Sequence, residues 1–222
     1  MAAAWVLLYT AAHLFDSVQD DDPADLWWQS LGPGPAINVA TGLLTSAWIV
    51  LGQLETQGAV ARQLVEDFQQ TVLRMASGQH LDLTDPRLSL DTAWAIAEAK
   101  SGAFFALACR SGARLAGAPQ HVTDHYGEYG FNLGLIVQIG DDLEDVQAGR
   151  SASTLPVAYS TEMALGADDS GAQLYLATKI SIFRARALNS LDAAGGAQPA
   201  KGQLEELIRS LVPEFEAIPN YG

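Results

Sequence analysis

Residues 134–146 read Gly-Leu-Ile-Val-Gln-Ile-Gly-Asp-Asp-Leu-Glu-Asp-Val, an apolar run that ends in a cluster of acids. The apolar side chains from Phe131 to Ile139 cover more than one face of a helix. A helix of that kind belongs in the middle of a bundle, because a surface helix keeps one face polar. The stretch therefore predicts a central helix that leaves the core at its acidic end.

The rest of the chain repeats helical spacing and almost lacks the alternation typical of strands. Of its 222 residues, 49% are hydrophobic and 17% are charged, which is enough apolar surface for a large core. Pro and Gly residues separate eight predicted helices, near 2–21, 36–57, 59–77, 91–117, 121–147, 154–166, 170–194 and 201–212. We therefore predict an all-α protein, a single-domain antiparallel helix bundle over residues 1–222.

The charge balance argues against two classes of partner. The formal net charge is −14, from 12 Lys and Arg against 26 Asp and Glu. Such a surface repels nucleic-acid phosphates and anionic lipid headgroups, so we expect no nucleic-acid partner. His13 and Asp16 interrupt the apolar start of the chain, which also lacks a basic leader, so we expect no stable membrane insertion. The single Cys109 argues against an intramolecular disulfide and suits the reducing cytoplasm.

The acids that end the quoted stretch have the spacing of a metal site. Asp141 and Asp145 are four residues apart and share one helical face, and Asp142 lies about 100° around the helix. Carboxylates this close repel one another, and a hard cation such as Mg²⁺ removes that repulsion. The alternative is a solvated acidic helix end. The apolar residues that lead into the cluster favour the metal site.

A second acidic cluster lies near the start of the chain. Asp16 and Asp20 repeat the four-residue spacing, and an Asp-rich turn follows them. Alone, this pattern is also typical of a helix that ends in a turn. Two such clusters on separate helices, facing each other across the mouth of a bundle, could hold several Mg²⁺ ions around a diphosphate.

Seven segments then match, in order, the motifs of one enzyme family. They are residues 9–20, 35–44, 78–83, 100–105, 112–117, 126–127 with 138–146, and 154–157. Among them, Asp-Ser-Val-Gln-Asp at 16–20 and Asp-Asp-Leu-Glu-Asp at 141–145 are similar to its two aspartate-rich motifs, and Lys100-Ser101 is similar to its Lys-Thr motif. The chain thus resembles the trans-isoprenyl diphosphate synthases, the polyprenyl synthetase family.

The resemblance implies a fold and a reaction. The fold is the isoprenoid synthase bundle around a central cavity, here without the family's N-terminal helices. The reaction is Mg²⁺-dependent prenyl transfer, in which an allylic prenyl diphosphate ionises and isopentenyl diphosphate attacks the cation, as in a geranylgeranyl-type polyprenyl diphosphate synthase. The family resemblance also implies a cytoplasmic homodimer.

Metal-binding residues follow from the resemblance by position. Asp16 and Asp20 would serve one metal site, and Asp141 with Asp145 the other. Asp142 would complete the metal-binding set through a coordinated water.

Residues that contact the substrate follow in the same way. Lys100 and Arg150 would contact the diphosphate, and the oxygens of Ser101 and Gln138 would stabilise the allylic cation. Each has a structural alternative, since Lys100 could be a solvated helix lysine and Gln138 a buried amide that needs partners. We expect Gln79 and Asp82 to be helix-end and turn residues rather than catalysts.

Product length in this family depends on the residues one turn before the first motif. Those positions are Ala11 and Ala12, and small side chains would leave the path of the prenyl tail open. The expectation is a product or substrate of C20 or longer, with Leu8 and Tyr9 as the next stop. The alternative is that two alanines let neighbouring helices pack closely.

Three departures from the family pattern leave the acceptor open. Ser17 stands where the first motif has its second aspartate, no Arg-Arg-Gly follows, and no Gly-Gly-Lys-x-x-Arg precedes. The last two motifs supply the basic groups that grip diphosphates. Beside the elongating synthase, two alternatives therefore remain, a terpene cyclase-like enzyme on the same fold and a catalytically weak partner subunit.

Overall fold

The structure is a computed structural model, and it describes residues 1–21, 26–85, 89–147, 155–163, 170–195 and 200–211. Within these ranges every regular element is helical. The first helices are α1 (Ala2–Gln19), α2 (Leu26–Leu31), α3 (Pro33–Gly52), α4 (Gly58–Thr84) and α5 (Leu90–Ala97). A π-helical segment (Glu98–Gly102) joins α5 to α6 (Ala103–Leu115). The last are α7 (Gln120–Gln147), α8 (Leu155–Glu162), α9 (Ser170–Ala194) and α10 (Ala200–Ser210). The all-α prediction is confirmed.

The predicted helices differ from the observed ones at two places that bear on the site. Helix α4 continues to Thr84, although the sequence predicts that it ends near residue 77. Gly78 is instead a packing position, because a Cβ there would lie 2.8 Å from the Cβ of Ala99. The short helix α2 was not predicted. The prediction of one domain over residues 1–222 extends beyond the described residues and stays a prediction.

Helix α7 is the central helix, as its sequence predicted. It packs against α6 on one side and α9 on the other. Its residues Leu135 and Ile139 are buried in one cluster with Leu176 and Ile180 of α9. Hydrophobic burial on several faces explains why no residue of this helix from Tyr129 to Gly140 is exposed.

Helices α1 and α3 form an antiparallel pair at the edge of the bundle. Leu14 near the end of α1 clusters with Ala36 near the start of α3. Leu8, earlier in α1, clusters with Ala47 and Leu51, later in α3. The small alanine side chains bring the two helices close together.

Two glycines bring α7 against α6 and the π-helical segment. A Cβ at Gly130 would lie 2.4 Å from the carbonyl oxygen of Phe105, and one at Gly134 would lie 2.3 Å from that of Ser101. Real Cβ atoms do not approach so closely, so only glycine allows this contact. The later residue of α7, Gly134, contacts the earlier residue, Ser101, and Gly130 contacts the later Phe105. Helix α7 therefore runs antiparallel to the π-helical segment and α6.

In the part of the chain that the structure describes, one helix, α3, is long and apolar enough to span a membrane by length and composition. Only 22% of its most apolar window is buried in the chain. Core helices of soluble proteins and signal sequences pass the same test, so this observation by itself assigns no membrane role.

Replacement of Gly134 by Ala is expected to lower the free energy of unfolding by about 1–3 kcal/mol, because the added methyl pushes α7 away from Ser101. Gly140 lies on the same helix and has open space around the position of a Cβ, so Gly140→Ala is the matched control. It should be neutral or stabilise by up to about 1 kcal/mol through helix propensity. Urea unfolding of both variants checks this, and equal effects would contradict the packing role of Gly134.

Candidate active site

The first acidic cluster lies where α1, α4 and the π-helical segment meet. The ammonium of Lys100 lies 2.8 Å from a carboxylate oxygen of Asp16 and 3.2 Å from one of Asp82. The side-chain amide of Gln79 donates a hydrogen bond of 3.0 Å to Asp20, which follows directly after α1. One ammonium and one amide therefore serve three carboxylates. We call these five residues the first cluster.

The first cluster is short of positive charge. Burial raises the pKa of Asp20 to about 6, and repulsion from Asp16 and Asp82 adds to the effect. Burial alone lowers the pKa of Lys100, but attraction to Asp16, Asp82 and Asp20 outweighs it and places the pKa above its usual range. Lys100 therefore stays charged at neutral pH, while the ionised form of Asp20 is disfavoured. A further cation would relieve this imbalance.

Gln79 and Asp82 correct the expectation that they are helix-end and turn residues. Both lie inside α4, three positions apart, and so on one face of that helix. The signal in the sequence was their spacing. The predicted helix ends near residue 77, before both residues, so the sequence does not place them on one helical face. With α4 extended to Thr84, their side chains reach Asp20 and Lys100.

The π-helical segment aims two neighbouring side chains at different helices. Lys100 reaches Asp16 on α1, and the hydroxyl of Ser101 donates to the side-chain oxygen of Gln138 on α7. A π-turn widens the helix by one residue per hydrogen-bonded ring, and such segments recur at functional sites. Here it joins the first cluster to the acidic end of α7.

The second cluster comprises Asp141, Asp142 and Asp145 at the end of α7. Asp141 is exposed and Asp145 is half-buried, whereas Asp142 is 7% exposed. One oxygen of Asp142 accepts a hydrogen bond of 2.7 Å from the amide nitrogen of Gln138. The other accepts one of 2.8 Å from the backbone N–H of Leu155, the first residue of α8.

These contacts separate Asp142 from its two neighbours. Both of its carboxylate oxygens are occupied inside the protein, which satisfies an otherwise unpaired N–H at the start of α8. Asp142 holds Gln138 so that the amide oxygen faces Ser101. Its part in the metal site, through a coordinated water, stays a prediction, since each carboxylate oxygen can accept a further partner. Asp141 and Asp145 keep the geometry expected of metal ligands, one turn apart on one face.

Two carboxylates of the second cluster, those of Asp141 and Asp142, also resist ionisation. Removal of water from around the carboxylate raises the pKa of Asp141 to about 6, and Glu144 and Asp145 add repulsion. Burial raises the pKa of Asp142 to about 6 as well, although its hydrogen bonds to Leu155 and Gln138 act in the opposite direction. No hydrogen bond lowers the pKa of Asp141 in the same way. A bound cation would stabilise its ionised form.

A small polar cavity connects the two clusters. Its volume is about 30 Å³, and its polar lining comes from Asp82 and Lys100 on one side and Gln138 and Asp142 on the other. A space of this size holds one or two water molecules. Asp82 and Lys100 therefore lie within a water's reach of the groups that orient Gln138.

The donors present fit Mg²⁺ that shares its coordination with phosphate. Among the described residues, no three His, Cys, Asp or Glu side chains lie close enough together to enclose a metal ion. Mg²⁺ commonly takes only one or two carboxylates and completes its shell with phosphate oxygens and water. Asp16 with Asp20, and Asp141 with Asp145, offer such pairs. Ser17, at the position of the family's second aspartate, is 4% exposed.

The remaining candidate residues fall into three groups. Ala11 is 1% exposed on the buried side of α1, about 140° around the helix from Asp16, which corrects it to a packing residue. Ala12 lies about 40° from Asp16 and stays a candidate for the tail path. Arg150 lies outside the described residues.

Aromatic rings lie along α1 in the turns that precede Asp16. Tyr9 stacks between Trp5 and His13, with ring centroids 5.9 Å and 6.1 Å apart. Trp5 also stacks on Phe104 of α6 at 4.6 Å. Trp5 and Tyr9 lie on the side of α1 that carries Asp16. Apolar rings therefore follow the carboxylates along that side of the helix.

Comparisons with known proteins agree with this geometry. Residues 1–156 match the family model of the polyprenyl synthetases. A tryptophan prenyltransferase, ComQ of Bacillus subtilis subsp. natto, is 30% identical over 64% of this chain and 43% of its own length. A geranylgeranyl diphosphate synthase of Methanosarcina mazei is 25% identical over 66% of this chain and 48% of its own length. The matched part therefore spans less than half of either curated relative.

Solved structures share the fold. A geranylgeranyl pyrophosphate synthetase from the archaeon Geoglobus acetivorans superposes with a TM-score of 0.84 at 19% identity, over 95% of this chain and 76% of that one. A polyprenyl synthetase from Streptomyces coelicolor gives 0.80 at 22% identity, over 94% of this chain and 77% of that one. At these identities the likeness shows the fold alone.

The raised pKa of Asp141 predicts how the metal-free protein responds to pH. Its folded-state pKa of about 6 exceeds the unfolded value of about 4, so the ionised carboxylate destabilises the fold above pH 6 and the effect fades below it. Asp141→Asn should therefore raise Tm at pH 8 in EDTA, with a difference that shrinks towards pH 4. Glu66→Gln, which removes an exposed carboxylate from α4, is the control. An Asp141→Asn gain that is the same at both pH values would contradict the assignment.

Proposed function

The chain belongs to the polyprenyl synthetase family, and from this premise we propose that it transfers the prenyl group of an allylic diphosphate in a Mg²⁺-dependent reaction. The observation that carries the proposal is the link between the two clusters through neighbouring residues: Lys100 contacts Asp16 and Asp82, and Ser101 contacts Gln138, which is bonded to Asp142. Acidic groups that resist ionisation, next to a charged lysine, suit a site for an anion bound together with cations.

The diphosphate end of the substrate is assigned to the two clusters. Asp16 and Asp20 on one side, and Asp141 and Asp145 on the other, would hold Mg²⁺ together with the diphosphate oxygens. Bound Mg²⁺ neutralises the negative charge that grows on a departing diphosphate. Lys100 adds a hydrogen-bonding positive charge to the same leaving group.

The allylic end is assigned to Ser101, Gln138 and the aromatic rings. The amide of Gln138 gives an N–H to Asp142, and its oxygen accepts from the Ser101 hydroxyl. An amide oxygen and a hydroxyl oxygen each have a further lone pair, and these lone pairs would face positive charge. Preoriented dipoles of this kind stabilise charge without reorganisation. The rings of Tyr9, Trp5 and Phe104 would exclude water from the prenyl chain.

We propose isopentenyl diphosphate as the acceptor. The activity would then be that of a polyprenyl diphosphate synthase of the geranylgeranyl type. The Methanosarcina relative, a geranylgeranyl diphosphate synthase, supports this choice. Cyclisation is not favoured, since the curated relatives described above are a prenyltransferase and a prenyl diphosphate synthase.

A second acceptor class is favoured by a specific observation. No Lys or Arg occurs between Met1 and Arg62, so this part of the chain supplies no cation for a second diphosphate. The ComQ relative is a tryptophan prenyltransferase, whose acceptor carries no diphosphate. A tryptophan side chain is therefore the alternative acceptor.

We further propose a homodimer in the cytoplasm. The apolar side chains of Ile37 and Ile49 on α3 are 43% and 56% exposed, and a second copy of the chain would cover them. Cys109 is a free, half-buried thiol whose pKa burial raises to about 12, so it is inert and suits a reducing compartment.

The proposed reaction is tested by incubation of the protein with Mg²⁺ and geranyl diphosphate, alone, with isopentenyl diphosphate, or with a tryptophan-containing peptide. We expect longer prenyl diphosphates only in the second mixture, measured by mass spectrometry after extraction. Prenylated peptide in the third mixture alone would move the assignment to the second acceptor class. Unchanged geranyl diphosphate in all three would contradict prenyl transfer by this chain.

Asp141→Asn is expected to slow the reaction by about a hundredfold or more, because a metal ligand is lost at the leaving group. The same variant should lose the extra gain in Tm that Mg²⁺ and pyrophosphate together give beyond their separate effects. Asp21→Asn is the matched control, since Asp21 lies off the Asp16–Asp20 face and Asn tolerates its positive φ of 53°. Equal losses in both variants would contradict the metal-site assignment.

A further inference from the structure

Lys100 is held by α4 at both ends of its side chain. Its ammonium lies 3.2 Å from Asp82, and its stem passes over Gly78, where a Cβ would lie 3.3 Å from Cγ of Lys100. Gly78 and Asp82 are four residues apart, on one face of α4. The glycine gives the stem its path and the carboxylate receives the charged end.

The second contact of Lys100, to Asp16, is of a different kind. Asp16 is one of the carboxylates that the proposed function assigns to the metal, and its side chain is 41% exposed. Asp82 is only 17% exposed and lines the cavity behind Lys100. Metal binding at Asp16 therefore removes the exposed partner of Lys100 and leaves the buried one in place.

We propose, on the basis of the proposed function, that Asp82 is a positioning residue. It would keep Lys100 directed at the diphosphate when Asp16 coordinates the metal. Asp82 carries no assigned role in the site otherwise. Without it, a long lysine side chain would have to pay its full rotamer entropy to meet the diphosphate.

The negative charge of Asp82 makes the expected change in diphosphate affinity differ in direction between this role and other roles. A carboxylate near a diphosphate repels it, so loss of that charge should by itself strengthen binding. If Asp82 acts through Lys100, its removal weakens diphosphate binding as long as Lys100 is present. Once Lys100 is absent, only the repulsion remains.

The test is a double-mutant cycle of Asp82→Asn and Lys100→Met, read by calorimetric titration of the full chain with pyrophosphate in saturating Mg²⁺. In the wild-type background, Asp82→Asn should weaken pyrophosphate binding by about fivefold to tenfold. In the Lys100→Met background, the same change should leave binding equal or tighter. Asp82→Glu, which keeps the charge, should restore most of the wild-type affinity.

A matched control separates positioning from loss of stability. Asp67 lies on the same helix, is also 17% exposed, and pairs with Arg114 at 3.1 Å. Asp67→Asn removes an equally covered ion pair away from the site, so it should lower Tm without a change in pyrophosphate affinity. This control shows what an ion pair on α4 contributes to the fold alone.

Two results would overturn the proposal. Weakening by Asp82→Asn in both backgrounds would make Asp82 a metal ligand or a purely structural residue, and tighter binding in both would make it a repelling charge only. A wild-type protein that binds no pyrophosphate with Mg²⁺ would instead refute the proposed function, and this inference with it. The two failures are thus distinguished by the wild-type titration.

Discussion

The contact of α7 with the backbone of Ser101 at Gly134 sets the geometry of the whole site. Gly134, Gln138 and Asp142 follow at four-residue intervals, so they form one stripe along α7. Gly134 meets the backbone of Ser101, Gln138 meets its hydroxyl, and Asp142 meets the start of α8. A shift of α7 by a fraction of an ångström at the glycine would move all three contacts together, because helices are stiff and interiors are tightly packed.

The same packing places carboxylates near one another where repulsion and burial disfavour their charge. Asp16 and Asp82 share the ammonium of Lys100, Asp20 accepts only an uncharged amide, and Asp141 is repelled by Glu144 and Asp145. The fold stabilises these groups through the large apolar core around α7 rather than through their own interactions. An unfavourable arrangement of this kind, supported from elsewhere, is typical of sites whose charge is completed by a ligand.

One side of α1 carries acidic residues at its C-terminal end and aromatic rings towards its N-terminal end. Asp16 and Asp20 mark the polar end of the helix, and Tyr9 and Trp5 continue the same side towards its start. An amphiphile with a diphosphate at one end and a hydrocarbon at the other matches this division. The exposed apolar side of α3 lies apart from it, on the other partner of the antiparallel pair.

The sequence by itself determined the features that depend on local geometry. Helical spacing gave the helices and the central place of α7, and four-residue spacing put Asp16 with Asp20 and Asp141 with Asp145 on common faces. Ordered motifs gave the family. These features follow from the periods of a helix and need no knowledge of the neighbours.

The tertiary structure decided which side chains act together, because contacts between distant segments depend on packing. It brought Asp82 to Lys100, buried Ala11 and left Ala12 beside the acidic face. It also used both oxygens of Asp142 inside the fold. Gly78 shows the limit most clearly. The sequence predicts a helix that ends near residue 77, whereas in the structure the helix continues and Gly78 is the point where Ala99 packs against it.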